Sequence, residues 1–87
     1  MEIKVKITEV HELESGTGKN DKQWQKLTFV GETEGEYTKR ICFTAWNQSV
    51  IDAITPNETY NLSIEVESRE FNDRWYTDVK VWKAEII

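Results

Sequence analysis

The segment Ser68-Arg69-Glu70-Phe71-Asn72-Asp73-Arg74-Trp75-Tyr76-Thr77-Asp78-Val79-Lys80-Val81-Trp82 concentrates aromatic rings and guanidinium groups where an enzyme would place acids, bases or metal ligands. Rings interleaved with Arg69 and Arg74 can stack flat ligands and neutralise anions. Single-stranded nucleic acid offers both, a π-face on every base and a charge on every phosphate. Asn72-Asp73, flanked by alternating residues, reads as the short polar turn of a β-hairpin. Phe71, Trp75, Tyr76 and Trp82 would then cluster around that hairpin. The competing reading puts most of these rings in a core.

Other chemistries find little support. His11 is the only histidine and Cys42 the only cysteine, too few for a zinc site built from several His or Cys ligands. A Cys–His nucleophile would need the two adjacent and a third group to orient the base. Glu32, Glu34 and Glu36 fall in a turn and read as a solvated tip. Gly16-Thr17-Gly18-Lys19 lacks the spacing of a phosphate loop and does not lead into a helix. The expectation is no catalytic residue, no metal, no cofactor and no enzymatic activity.

At 87 residues the chain is expected to form a single domain, 1–87, with little room for an elaborate active site. Four Trp, three Tyr and three Phe are many rings for so small a core. One cysteine excludes an intrachain disulfide. No stretch is apolar for the length of a membrane span, and Met1 leads straight into an alternating segment rather than a secretory signal, so the expected location is cytoplasmic. The net charge of −5 opposes binding to a phosphate chain. Its distribution softens that objection. Glu32, Glu34, Glu36, Glu67 and Glu70 fall at expected turn tips or one strand edge, whereas Lys4, Lys6, Lys19, Lys22, Lys26, Lys39 and Arg40 lie in or beside the first three strands. The balance predicts weak, salt-sensitive affinity.

The elements that must carry these groups follow from alternation. Ile3, Val5 and Ile7 mark a half-buried first strand. Ser15 to Asp21 reads as a flexible polar loop. Gln23–Val30 is a second strand with Leu27 and Phe29 inward and Trp24, Lys26 and Thr28 outward. Tyr37–Trp46 is a third, with Ile41, Phe43 and Ala45 on one side and Arg40, Cys42, Thr44 and Trp46 on the other. Asn47 is a candidate N-cap for a short helix through Ile54, with Val50, Ile51 and Ile54 on one face. Tyr60, Leu62, Ile64 and Val66 alternate with Asn61, Ser63, Glu65 and Glu67 in a fourth strand. A fifth runs from about Arg74 to Ala84 with Val79 and Val81 inward. Trp75 shares their parity and is expected in the core. Tyr76 and Trp82 share the other parity, for the outer face or a subunit interface. Three strands, a helix and two strands is the order of the OB-fold, an all-β, five-stranded, partly open barrel with one short helix between strands 3 and 4. An SH3-like barrel is the alternative, but it has no need of the helical insert.

Two runs carry a resemblance. Arg40-Ile41-Cys42-Phe43-Thr44-Ala45-Trp46 with its following helix is similar to the third strand and helix of bacterial single-stranded DNA-binding proteins (SSBs). Tyr60 to Phe71 followed by Asn72 to Val79 resembles their fourth strand, hairpin and fifth strand. The whole chain more closely resembles a family of small SSB-like bacterial proteins grouped as a domain of unknown function. These share the Ser15-Gly16-Thr17 pattern, an outward Trp like Trp24, and the Ser68-to-Val79 ending. The resemblance implies an OB-fold, a base-stacking role at the position of Trp46, and assembly through the first strand. Two departures stand out. SSBs carry an acidic, hydrophobic tip that recruits partners, whereas this chain stops at Glu85-Ile86-Ile87. The loop between the fourth and fifth strands is also expected to be short.

The function expected from these readings is non-sequence-specific binding of single-stranded DNA, or of RNA, which the sequence does not separate from it. The candidate nucleic-acid-binding residues are Trp24, Trp46 and Phe71 for stacking, with Lys4, Lys6, Lys26, Arg40, Arg69 and Arg74 for phosphates. For Trp24 the alternative is a dimer contact or a ring folded over the barrel; for Trp46 it is a cap on the barrel end. An open edge at Ile3–Ile7 would favour a homodimer or homotetramer. The competing function is an OB-fold protein–protein interaction module without nucleic-acid binding, which the acidic charge favours.

Overall fold

The alternating segments fold as six strands and one short helix in a computed structural model that describes residues Met1–Ile87. β1 spans Glu2–Val10, β2 Glu14–Thr17, β3 Gln23–Thr33 and β4 Arg40–Ala45; α1 spans Gln48–Ala53, β5 Thr59–Phe71 and β6 Arg74–Ile86. Five of the strands close a ring in which β1 pairs with β3 and β5, β3 with β4, β4 in parallel with β6, and β6 with β5. That is the closure and element order of an OB-fold.

β1 reaches both neighbours because it bends. Its first half pairs with β5 through Glu2–Lys6, its second half with β3 through Val5–Val10, and a bulge at Thr8 separates Ile7 from Glu9. A bulge kinks its strand and raises the local twist, as closure of a small barrel demands. The close approach also needs Gly31, where a Cβ would lie 2.9 Å from Val5 Cγ2 and 3.2 Å from Phe43 Cε2. The open edge expected at Ile3–Ile7 is therefore absent over most of its length. Barrel closure pairs it on both sides from Val5 onward.

Inward residues make one continuous core. Val5, Ile7, Leu27, Phe29, Phe43 and Ala45 line one side, and Tyr60, Leu62, Ile64 and Val81 the other. Val50 and Ile54 of α1 pack into the same cluster. The Tyr60 hydroxyl donates to the Ala53 carbonyl at 2.6 Å and accepts from the Thr55 N–H at 2.9 Å, fixing the helix exit. Asn47 sits at the N-cap position but does not cap; its Nδ2 donates to the Trp82 carbonyl at 3.4 Å. No helix is long and apolar enough to cross a membrane.

Two local expectations are corrected, and a third, the short turn at Asn72-Asp73, is met in an unexpected setting. The polar segment after β1 is not simply a loop. Glu14–Thr17 pair with Gln23–Lys26 as β2, and the hairpin closes through a tight turn at Lys19–Asp21 and a Gly18 N–H to Lys22 carbonyl bond of 2.6 Å. The link between the fourth and fifth strands expected from the sequence is a two-residue turn at Asn72-Asp73, both at positive φ (52° and 62°), but it ends a long arm. β5 and β6 each run 13 residues, about 43 Å at 3.3 Å per residue, which matches the 45 Å long axis of the molecule. Finally, Trp75 is not core but 69% exposed, and Val66 is 51% exposed. The β1–β5 pairing ends at Ser63 and the β4–β6 pairing begins at Lys80. Beyond those residues the arm has no wall to lie against, so inward parity no longer means burial.

Candidate functional site

The β2–β3 hairpin sets Gly16 directly across from Trp24. With no side chain at Gly16, the indole lies against the β2 backbone; a Cβ there would stand 2.8 Å from Trp24 Cζ2 and 2.9 Å from Cε2. Trp46 follows the last residue of β4. Because Leu27 pairs with Ala45, the register continues to Lys26 beside Trp46. The result is compact. The Trp24 and Trp46 ring centroids are 6.0 Å apart with planes tilted by 54°, and Lys26 Nζ lies 5.6 Å from the Trp46 centroid, within cation–π range. Trp24 is 40% and Trp46 46% exposed. They open onto a cavity of ≈ 640 Å³ whose other lining residues are Ser15, Gly16, Thr17, Gln23, Gln25 and Gln48. None of these carries a charge, so the cavity suits a neutral, flat, hydrogen-bonding group.

A second cluster forms on the arm. Arg69 pairs across the strands with Tyr76, and Phe71 with Arg74. Directly paired residues share a face, so alternation puts all four on one side. They lie on the side opposite Ile64 and Val81, continuous with the outer surface of the barrel. Arg69, Glu70, Phe71 and Tyr76 line a small depression there. Arg69 is 3.9 Å from Asp78, while Arg74 has no ion-pair partner. Trp82 and Lys83 occupy a bulge in β6 between inward Val81 and Ala84, so both turn outward. The Thr44–Lys80 pairing puts Trp46 level with Trp82. Tyr76 therefore lies about 20 Å along the strands from the two-tryptophan patch, at 3.3 Å per residue. The two clusters flank one outer sheet face.

The remaining candidates are not part of this arrangement. Lys4 binds Glu34 at 3.2 Å and Arg40 binds Glu32 at 3.3 Å. Lys6 pairs in register with the same Glu32. These cations share the β1–β3–β4 surface with acids. Lys80 is likewise held by Glu67 at 3.1 Å. The hydrogen bond and charge of Glu85, 2.9 Å away, hold the Lys83 ammonium above the ordinary lysine range. The cations without an ion pair near the tryptophans are Lys19, Lys22 and Lys26. Sequence reasoning left Lys19 and Lys22 outside its candidate set, and their signal was the hairpin that Gly18 and Lys22 close. It also left out Tyr76 and Gly16, although strand parity was enough to pair Tyr76 with Arg69 once the turn was placed at Asn72-Asp73.

His11 and Cys42 flank β3 on opposite sides, His11 bonded through its backbone to Thr28 and Cys42 paired with Val30. The imidazole contacts Glu9 at 3.3 Å. No three His, Cys, Asp or Glu side chains gather as a metal site would require.

A family model described as Domain of unknown function (DUF3127) matches residues 2–85. Among solved structures, the second OB-fold domain of replication protein A from Methanococcus maripaludis aligns with a TM-score of 0.72 at 14% identity, covering 99% of this chain and 81% of that one. The mitochondrial single-stranded DNA-binding protein Rim1 of S. cerevisiae aligns with a TM-score of 0.75 at 13% identity, covering 100% and 92%. At such identities the likeness is one of fold. No curated protein matches the sequence significantly.

Proposed function

This chain belongs to the family described as Domain of unknown function (DUF3127), and on that premise we propose that it binds single-stranded nucleic acid, DNA in the first instance, without sequence specificity. The observation that carries the reading is the pair of half-exposed indoles, Trp24 and Trp46, opening onto an uncharged cavity on the outer sheet face. Lys26 lies over Trp46, Lys19 and Lys22 belong to the turn of the β2–β3 hairpin that carries Trp24, and Arg69, Phe71, Arg74 and Tyr76 stand at the far end of the same face. Bases stack on the rings and the phosphates run past the ammonium and guanidinium groups. The two solved structures of like fold support the reading by what they are, a replication protein A domain and a single-stranded DNA-binding protein. Each stacked base contributes about 1–3 kcal/mol, so two or three supply about 2–9 kcal/mol towards the roughly 8 kcal/mol of micromolar binding, and phosphate contacts supply the rest. Fluorescence titration with poly(dT) tests the proposal; an unchanged signal at low salt would refute it.

The arm separates the two kinds of contact. Replacing Arg69 and Arg74 together with Gln should lower affinity and flatten the salt dependence, by about 0.7 in the slope of log K against log salt for each phosphate left without its guanidinium. Phe71→Ala should weaken binding at every salt concentration and leave the slope nearly unchanged, because stacking releases no counterions. Equal slope changes in both variants, or no change in affinity, would place the binding surface elsewhere.

Assembly as a homodimer or homotetramer belongs to the same proposal through the resemblance to SSBs. The paired β1 edge no longer argues for it. Sedimentation equilibrium should show a species heavier than the 10.3 kDa chain; a monomer alone at tens of micromolar would contradict this part.

A further inference from the structure

Trp24 and Trp46 are too close to hold a base between them. A sandwich needs parallel rings about 7 Å apart, twice the 3.4 Å stacking rise, and here the centroids are 6.0 Å apart at 54°. One side of Trp24 rests on β2 at Gly16, and Lys26 lies over the Trp46 ring. Both rings line the same cavity.

We propose that Gly16 is the positioning residue of this site. By placing no Cβ across from Trp24, it lets the indole lie down against β2 and meet Trp46, so that the two tilted rings form one corner-shaped platform for one nucleobase, stacked on one ring and flanked by the other. The inference rests on the reading of this surface as a base-stacking site and deepens it. The platform takes the base rather than the phosphate, because the cavity beside it is lined by hydroxyls and amides such as Ser15, Thr17, Gln23 and Gln48 and by no charge. Gly16 does not require a left-handed backbone, so alanine fits the chain there and the conflict falls on the ring alone. Gly18, in the same hairpin, is the matched control. A Cβ at Gly18 would meet Lys22 O at 3.5 Å and Trp24 Cδ1 at 3.8 Å, ordinary contact distances.

The test compares Gly16→Ala and Gly18→Ala in two measurements. The first is the exciton couplet of Trp24 and Trp46 in the circular dichroism of the free protein. The second is the affinity for a dT oligomer across a salt series. Gly16→Ala should keep its cooperative melt, lose most of the couplet and bind about fivefold or more weakly, the lower end of what one stacked base contributes, with the salt slope unchanged. Gly18→Ala should match the parent in both. A parental couplet and affinity in Gly16→Ala, or equal losses in Gly18→Ala, would overturn the inference. Trp24→Ala removes the ring that collides, so adding Gly16→Ala in that background should cost little further affinity; a full loss there would also overturn it. If Gly16→Ala does not fold, this second comparison decides. A parent protein that binds no oligomer would remove the functional reading, while loss of the couplet in Gly16→Ala would still stand for the placement of the ring.

Discussion

Trp24→Ala is expected to weaken binding to single-stranded DNA by about 1–3 kcal/mol, the worth of one stacked base, while leaving the thermal or denaturant melt cooperative and close to that of the parent. The ring is 40% exposed, contributes nothing to the buried cluster, and faces β2 rather than the barrel interior. Trp46→Ala should behave in the same way. Because the two rings touch, at 6.0 Å between centroids, their effects should not add. The double variant is expected to lose less than the sum of the single variants, with a coupling of about 0.5–3 kcal/mol typical of residues in contact. Binding isotherms of the parent, both single variants and the double variant measure this directly. Full additivity would mean that each ring stacks its own base. Parental affinity in Trp24→Ala, or loss of its cooperative melt, would show that the patch is structural.

Phe29→Ala or Phe43→Ala should do the opposite. Both rings are fully buried and stack at 5.5 Å with planes 23° apart, at the centre of the β3–β4 pairing. Truncating a buried phenylalanine costs about 3–5 kcal/mol. A domain of 87 residues has only about 4–13 kcal/mol in total. Each variant should therefore lose a large part of the stability, with the urea midpoint falling steeply, and binding should fail only because the fold does. A midpoint shifted no more than in Trp24→Ala would mean that the barrel does not depend on this pair.

The contrast between these predictions reflects what alternation encodes. Ile3, Val5 and Ile7, Leu27 and Phe29, Ile41, Phe43 and Ala45, and Val50 with Ile54 were legible because each sits on an element with the barrel behind it. Parity says which side of a strand a residue occupies, not whether anything lies on that side. Trp75 and Val66 have inward parity on an arm that has left the barrel, and so they are exposed. β2 was illegible for another reason. Both its faces are polar, so no period marks it, and only its pairing with β3 makes it a strand. The site was partly legible in the same sense. The outward parity of Trp24 beside Lys26 and the hairpin turn at Asn72-Asp73 could be read along the chain. The capture of Lys4 by Glu34 and of Arg40 by Glu32 depends on cross-strand register, which the linear sequence does not display. Gly16 is the sharpest case, since its part in the site is a distance to an indole eight residues away across a hairpin.

Whether the outer face binds a single strand at all is open to direct measurement by intrinsic fluorescence. Trp24, Trp46, Trp75 and Trp82 are all exposed, and a base stacking on an indole quenches its emission. Titration with poly(dT) at low salt should give saturable quenching that moves to higher concentration at moderate salt, and Trp24→Ala should lose a large share of the signal. An emission unaffected by poly(dT) at low salt, in a protein whose melt shows it folded, would contradict the proposal.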